Sequence, residues 1–134
     1  MQLESPHLKE SVPATSDSIS ELIFRLVGAQ DPFAIVAQSE KTFAQVLWTD
    51  AGFVLEYQTG SIDQHFRSER SDFTVQEIVT ILTAYVVDPS NWTQGIAFAR
   101  MDVPAPFSFR LGRILGKVLG HTLAALRPGS SRHG

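Results

Sequence analysis

The sequence predicts a small α+β domain, with an antiparallel sheet of about five strands packed against helices in the order α-β-β-β-β-α-β-α. Composition, apolar spacing and turn residues all favour this class. Hydrophobic residues make up 43% of the 134 residues, which is enough apolar material for one core. Apolar residues recur at helical spacing on both sides of a run of short alternating segments. This arrangement predicts helices that flank a group of strands.

The polar residues 1–16 contain two prolines, so we expect a flexible leader before an α+β domain that spans residues 17–106. The first predicted helix is Ser18–Val27, in which Ser18 and Glu21 have the spacing of a capping box. The apolar residues of this helix recur at helical spacing, namely Ile19, Leu22, Ile23, Leu26 and Val27.

Four predicted strands follow and form an antiparallel meander. They are Phe33–Ala37, Thr42–Trp48, Phe53–Gln58 and Ile62–Arg67. Alternation places apolar side chains on one face of the last hairpin, namely Phe53, Leu55, Tyr57, Ile62 and Phe66. The opposite face presents Val54, Glu56, Gln58, Asp63, His65 and Arg67. We therefore expect one packed face and one face that meets water.

The second predicted helix begins after Thr74 and ends before an Asp-Pro pair. Thr74 and Glu77 form a capping box, and Phe73 and Ile78 occupy the hydrophobic-staple positions around it. One apolar stripe runs along the helix, through Val75, Ile78, Val79, Leu82, Tyr85 and Val86. Residues 96–101 alternate and predict a last strand.

Residues 107–134 predict a basic, glycine-spaced C-terminal helix and tail, with the helix over residues 108–127. Three glycines lie beside its apolar stripe at a spacing of four, namely Gly112, Gly116 and Gly120. Each glycine costs a helix about 1 kcal/mol relative to alanine, so we expect a compensating contact. The alternatives are helix packing within the fold or across a homodimer, an amphipathic helix on a membrane surface, and a mobile tail.

Composition also bears on function. The absence of cysteine excludes disulfides, thiol catalysis and thiolate metal sites. Without an apolar run long enough to span a bilayer or a visible signal segment, we expect a cytoplasmic protein with no stable membrane insertion. Residues 1–106 carry 6 basic and 14 acidic side chains, a balance of −8, whereas residues 107–134 carry 5 basic side chains and no acidic ones. Because phosphate repels an acidic body, we expect no nucleic-acid partner.

Glu56, Asp63 and His65 are the residues that invite a chemical role. As a metal site or an acid–base pair they form a weak motif, and a solvated sheet face with cross-strand charge pairs is the commoner outcome. We therefore predict no catalytic residues, no metal and no cofactor. Acidic side chains on an open sheet face suit docking to a basic protein, so these residues, with Arg67 and Trp92, form the predicted partner-binding set. A tryptophan in a chain of this size is also commonly a packing residue.

The string Gly52–Arg67, together with the second helix and Asn91-Trp92, resembles the core of small bacterial immunity proteins of polymorphic toxin systems. The residues that match are Glu56, Tyr57, Gly60, Asp63, His65, Tyr85 and Trp92. The resemblance covers about half of the chain. It implies a protein that neutralises a cognate toxin by binding it, without turnover.

Two other classes are alternatives to an immunity protein. A homodimeric secretion chaperone that holds an extended effector segment is also small and acidic, and combines helices with a central sheet in a similar order. A small enzyme that uses His65 with Asp63 or Glu56 is the least favoured class.

Overall fold

The computed structural model of the protein describes residues 1–102, which form a seven-stranded antiparallel sheet and two helices. The elements in chain order are β1 (Gln2–Glu4), β2 (Val12–Pro13), α1 (Ser16–Leu26), β3 (Phe33–Ala37), β4 (Phe43–Thr49), β5 (Gly52–Gln58), a 3-10 turn (Ile62–Gln64), β6 (His65–Ser68), α2 (Val75–Val87) and β7 (Phe98–Arg100). The strands lie in the order β2-β1-β3-β4-β5-β6-β7, and all neighbours are antiparallel.

The predicted α+β class and antiparallel sheet are confirmed, and the run from α1 through β7 follows the predicted order. The predicted number of strands is wrong, because β1 and β2 add to the sheet ahead of α1. The predicted C-terminal helix lies outside the described residues, as do its three glycines, Gly112, Gly116 and Gly120.

Residues 1–16 are not the flexible leader that their polar composition predicted, because they supply two strands of the sheet. Leu3 lies opposite Val36 in the pairing of β1 with β3, and its side chain is fully buried. The Ser5 hydroxyl donates a hydrogen bond to the carbonyl oxygen of Phe33, at 2.8 Å. In this three-residue strand only one side chain is buried, and the backbone pairs with both neighbouring strands. Composition does not reveal such backbone pairing.

α1 begins at Ser16 because Thr15, rather than Ser18, caps it. The amide of Ser18 donates to Thr15 Oγ1 at 3.0 Å, and the amide of Thr15 donates to Ser18 Oγ at 2.9 Å. Ser18 therefore fills the third helical position, which a glutamate or glutamine fills in the usual capping box.

α2 has the predicted cap. The amide of Glu77 donates to Thr74 Oγ1 at 3.1 Å, and Glu77 Oε1 accepts from the amide of Thr74 at 3.0 Å. This reciprocal pair satisfies two backbone donors that the first turn of a helix would otherwise leave without partners.

The main core lies between the two helices and one face of the sheet. The helices contribute Ile19, Leu22, Ile23, Leu26, Ile78 and Leu82. The sheet contributes residues at alternate positions, namely Leu3, Ala34, Val36, Ala44, Val46, Phe53 and Leu55. Alternation along β5 therefore assigned Phe53 and Leu55 to this face correctly.

The second face of the sheet is buried as well, which contradicts the prediction of a face that meets water. It carries a separate apolar cluster of Phe33, Ile35, Ala37 and Phe43, with Leu47 packed against it. All five residues of β3 are buried, as is typical of a strand that is covered on both sides. The continuous apolar run of β3, rather than the alternation of β5, indicated the environment of this face.

The β4–β5 turn packs against the chain that enters α2. The amide of Phe53 donates to the carbonyl oxygen of Phe73 at 2.8 Å. Gly52 has a φ of 127°, and a Cβ atom at this position would lie 2.7 Å from the carbonyl carbon of Asp72. Gly60 also has a positive φ, of 82°, but a Cβ there would meet no atom within 4 Å.

We expect Gly52→Ala to lower the free energy of unfolding by about 3 kcal/mol or more, because it adds a backbone clash to the strain of a positive φ. Gly60→Ala is the matched control, and it should cost only about 1–2 kcal/mol through conformational strain. Urea denaturation of both variants measures the difference. Equal losses for the two variants would show that close approach to Asp72 is not the constraint.

Candidate functional site

A cluster of buried polar side chains joins three neighbouring strands, β4, β5 and β6, on the second face of the sheet. Its members, called here the polar cluster, are Gln45, Glu56, Gln58 and His65. Gln45 of β4 lies opposite Glu56 of β5, and Gln58 of β5 lies opposite His65 of β6. Gln45 and His65 are 0% exposed, Glu56 is 4% exposed and Gln58 is 7% exposed. Buried polar groups are costly unless they bond one another, so their partners decide what this cluster contributes.

His65 has an oxygen acceptor at each ring nitrogen. Nε2 lies 2.7 Å from Glu56 Oε1, and Nδ1 lies 3.1 Å from Gln58 Oε1. The Gln58 amide is oriented by its own Nε2, which donates to the carbonyl oxygen of Lys41 at 3.1 Å. Both ring nitrogens are therefore hydrogen-bonded, and the imidazole joins Glu56 to Gln58 within the polar cluster.

The Glu56 carboxylate receives three polar contacts. Gln45 Nε2 donates to Oε1 at 3.1 Å, alongside the bond from His65. Arg67 Nε lies 3.7 Å from Oε2, and the Arg67 side chain is 46% exposed. Within residues 1–102, Gln45 Oε1 meets no donor, which is the unsatisfied position of the cluster. A buried network of this kind holds its strands in one register, because a shifted strand would leave buried polar groups without partners.

Glu56 and His65 do not lie on an open surface, contrary to the prediction. Asp63 lies in the 3-10 turn rather than on β6, and it is exposed. Asp63 and His65 therefore do not share a strand face, because the chain enters β6 only at His65. Arg67 is the member of the predicted set that combines exposure with a contact to the polar cluster.

Trp92 lies in the core, where it is 8% exposed. Its ring centroid lies 5.1 Å from that of Tyr57, 4.9 Å from that of Tyr85 and 5.8 Å from that of Phe98. Burial raises the pKa of the Tyr85 hydroxyl, which accepts a hydrogen bond from Gln38 Nε2 at 3.3 Å. The position of Trp92 is that of a packing residue, and its predicted contact with a partner stays a prediction.

Two contact groups on opposite faces of β5 contain five of the residues that carry the resemblance. Glu56 bonds His65 on one face, and Tyr57 packs with Trp92 on the other. Tyr85 of α2 completes the aromatic group through Trp92. These matching residues build one continuous part of the fold around a single strand.

A groove beside α2 was not predicted from the sequence. It encloses about 650 Å³ between the β6–α2 connection, α2 and residues 95–97. Its lining combines an apolar part, namely Phe73, Ile81, Ile96 and Ala97, with Glu69, Arg70 and Glu77. Its lining residues come from three separate stretches of the chain. The sequence predicted only one of these walls, α2, through its capping box.

Arg70 makes several hydrogen bonds to carboxylates beside this groove. Its Nε donates to Asp72 Oδ1 at 2.6 Å, and its Nη1 and Nη2 donate to the Glu77 carboxylate at 2.9 and 3.0 Å. Its guanidinium carbon lies 4.2 Å from the centre of the Phe73 ring. The hydrogen bond from Arg70 lowers the pKa of Glu77 to about 2. Glu77 is therefore ionised at neutral pH, and Arg70 spends its donors on the protein's own carboxylates.

Over the described residues 1–102, no helix is long and apolar enough to cross a membrane. The same part of the chain has no group of three or more His, Cys, Asp or Glu side chains arranged to hold a metal ion. Comparisons with protein-family models, with curated proteins and with solved structures found no match to this chain.

We expect Glu56→Leu and His65→Leu each to lower the free energy of unfolding by about 1–3 kcal/mol, because each leaves a buried polar group without its partner. The double variant should lose about 0.5–3 kcal/mol less than the sum of the two, since it leaves neither polar group behind. Urea denaturation of the four proteins measures this coupling.

Asp72→Ala is the control for these variants. It removes an ion pair whose side chains are 48% and 66% exposed, so the denaturation midpoint should change little. Strictly additive losses in the Glu56 and His65 variants would contradict a coupled buried pair.

Proposed function

We propose that this protein binds and neutralises a cognate bacterial toxin, as the immunity proteins of polymorphic toxin systems do, and that it carries out no reaction. The observation that carries this proposal is the assembly of Glu56, His65, Tyr57, Tyr85 and Trp92 around β5. When residues that match a family also contact one another, they form one structural unit. Matching residues scattered over the fold would not form such a unit. The resemblance therefore gains support from the contacts among its residues.

Charge supports a basic partner. Of the 14 acidic side chains in the sequence, all lie within residues 1–102, against 6 basic ones, a balance of −8. Many of these acids are exposed, including Asp17, Glu21, Asp63 and Asp102. A negative surface raises the rate at which a positive protein arrives and disfavours acidic competitors. Toxins that act on nucleic acids need basic surfaces to bind phosphate, so they suit such a partner.

The proposed contact surface centres on Asp63 and Arg67. Arg100 Nη1 donates to the backbone oxygen of Asp63 at 2.8 Å, which fixes the turn that carries the Asp63 carboxylate. Arg67 extends from β6 beside the buried Glu56 carboxylate. Glu56 and His65 would then act as positioning residues beneath the surface, since they hold β5 and β6 in register.

The alternative is a homodimeric, secretion-chaperone-like protein that holds an effector segment. Exposed apolar side chains at the ends of both helices favour this alternative, because such groups are typical of protein interfaces. They are Phe24 and Val27 at the end of α1, which are 58% and 48% exposed, and Val87 at the end of α2, which is 78% exposed.

We expect Asp63→Lys to weaken binding of the toxin at least ~10-fold, because it places a cation against a basic surface. The toxin is first identified as a stoichiometric partner that the protein neutralises in a growth assay. Calorimetry with the purified pair then measures Kd. Glu21→Lys on α1 is the matched control, since it makes the same charge change at another exposed site and should alter Kd far less.

Glu56→Lys is unsuitable as a binding test, because it would disrupt the buried polar cluster and report stability instead. Wild-type affinity in Asp63→Lys would contradict the assigned surface. A homodimer that binds unfolded segments and neutralises no toxin would favour the chaperone alternative.

A further inference from the structure

The groove beside α2 has the size and lining of a binding site. Its volume of about 650 Å³ falls within the range of pockets that hold small ligands or a few inserted side chains. Ile81 and Ile96 give it an apolar wall, Ala97 contributes a methyl group, and Phe73 lies beneath Arg70 and is 2% exposed. An apolar group that enters the groove removes both its own apolar surface and that of the groove from water.

The walls of the groove are held in place by hydrogen bonds. The amide of Glu69 donates to the carbonyl oxygen of Ala97 at 2.9 Å and ties the two sides together. The amide of Ile96 donates to the carbonyl oxygen of Thr93 at 3.1 Å. The capping box of α2 and the bonds from Arg70 fix the remaining wall. A preformed groove binds at low entropic cost, because little has to be ordered on binding.

The charges around the groove determine whether a cationic or an anionic group binds there. Glu69, Asp72 and Glu77 supply three carboxylates against the single cation of Arg70. Arg70 donates to Asp72 and Glu77, so it offers little to an incoming anion. Within residues 1–102, the Glu69 carboxylate has no ion-pair partner, and its side chain lies in an exposed position. The mouth of the groove therefore attracts cations and repels acids.

We propose that this groove receives an apolar side chain flanked by Lys or Arg, projected from a basic partner protein. This inference rests on the proposed function, because it specifies how a basic toxin would be recognised. Burial of the apolar side chain against Ile81 and Ile96 supplies affinity, and a neighbouring cation beside Glu69 supplies specificity. Glu77 stays ionised and engages Arg70 through both carboxylate oxygens, which keeps this cation from an incoming acid.

Two synthetic peptides test the groove without any toxin. The isotope-labelled full chain is titrated with capped Lys-Lys-Leu-Lys-Lys and with capped Glu-Glu-Leu-Glu-Glu, and amide chemical shifts are followed by NMR. The basic peptide should give saturable shifts at Gln76, Thr80, Ile96 and Ala97, with an affinity at least ~10-fold above that of the acidic peptide. Capped Lys-Lys-Ser-Lys-Lys, which lacks the apolar side chain, should bind more weakly at these residues.

Two variants locate the effect. Ala97→Trp fills the groove and should abolish the shifts, and Glu69→Lys at the exposed rim should reduce the affinity at least ~10-fold. Glu21→Lys on α1 makes the same charge change elsewhere and should leave the groove shifts intact. Dispersed amide spectra verify that each variant is folded. If Ala97→Trp is unfolded, Glu69→Lys still provides a decisive test. Equal shifts with the leucine and serine peptides, or groove shifts that survive both variants, would overturn the proposal.

Failure of this inference can be told apart from failure of the proposed function. A toxin that binds Ala97→Trp and Glu69→Lys with wild-type affinity would leave the immunity function standing and remove the groove from it. Selective binding of the basic leucine peptide, in a protein that neutralises no toxin, would support the groove and contradict the function.

Discussion

The hydrogen-bonded pair of Glu56 and His65 ties β5 to β6 within a face of the sheet that is closed to water. A buried polar side chain such as that of Glu56 is tolerated only where hydrogen-bond partners offset its lost hydration. Gln45 from β4 and His65 from β6 supply those partners, so three strands must keep one register. A slip of one residue would turn these side chains to the opposite face and leave Glu56 without partners. The pair therefore constrains the register of β4, β5 and β6 more strongly than apolar packing alone.

The other face of β5 extends this constraint to the helices and the groove. Tyr57 stacks on Phe66 of β6, with centroids 4.9 Å apart, and meets Trp92 edge to face. Trp92 fixes the chain that follows α2, and that chain supplies Ile96 to the wall of the groove. One strand thus links the buried pair, the aromatic group and the groove, while the proposed contact surface lies at the exposed end of β6.

The sequence was sufficient where local physics decides the structure. The capping box of Thr74 and Glu77 located α2, and alternation assigned the core face of β5. The sequence was insufficient where contacts between distant segments determine the structure. The pairing of residues 2–4 with β3 depends on partners far along the chain. Alternation separates the two faces of β5 but does not reveal what covers each, so Glu56 and His65 were placed in water although they are buried.

The measurement that tests the central claim most directly is the hydrogen exchange of the His65 imidazole ring in the folded protein, by ¹⁵N–¹H correlation NMR. A ring that is buried and hydrogen-bonded to both Glu56 and Gln58 predicts a slowly exchanging ring N–H signal. The signal should disappear in His65→Leu, which assigns it. A ring N–H that exchanges as fast as that of an exposed imidazole would contradict the buried hydrogen-bonded pair, and with it the constraint that holds β4, β5 and β6 in register.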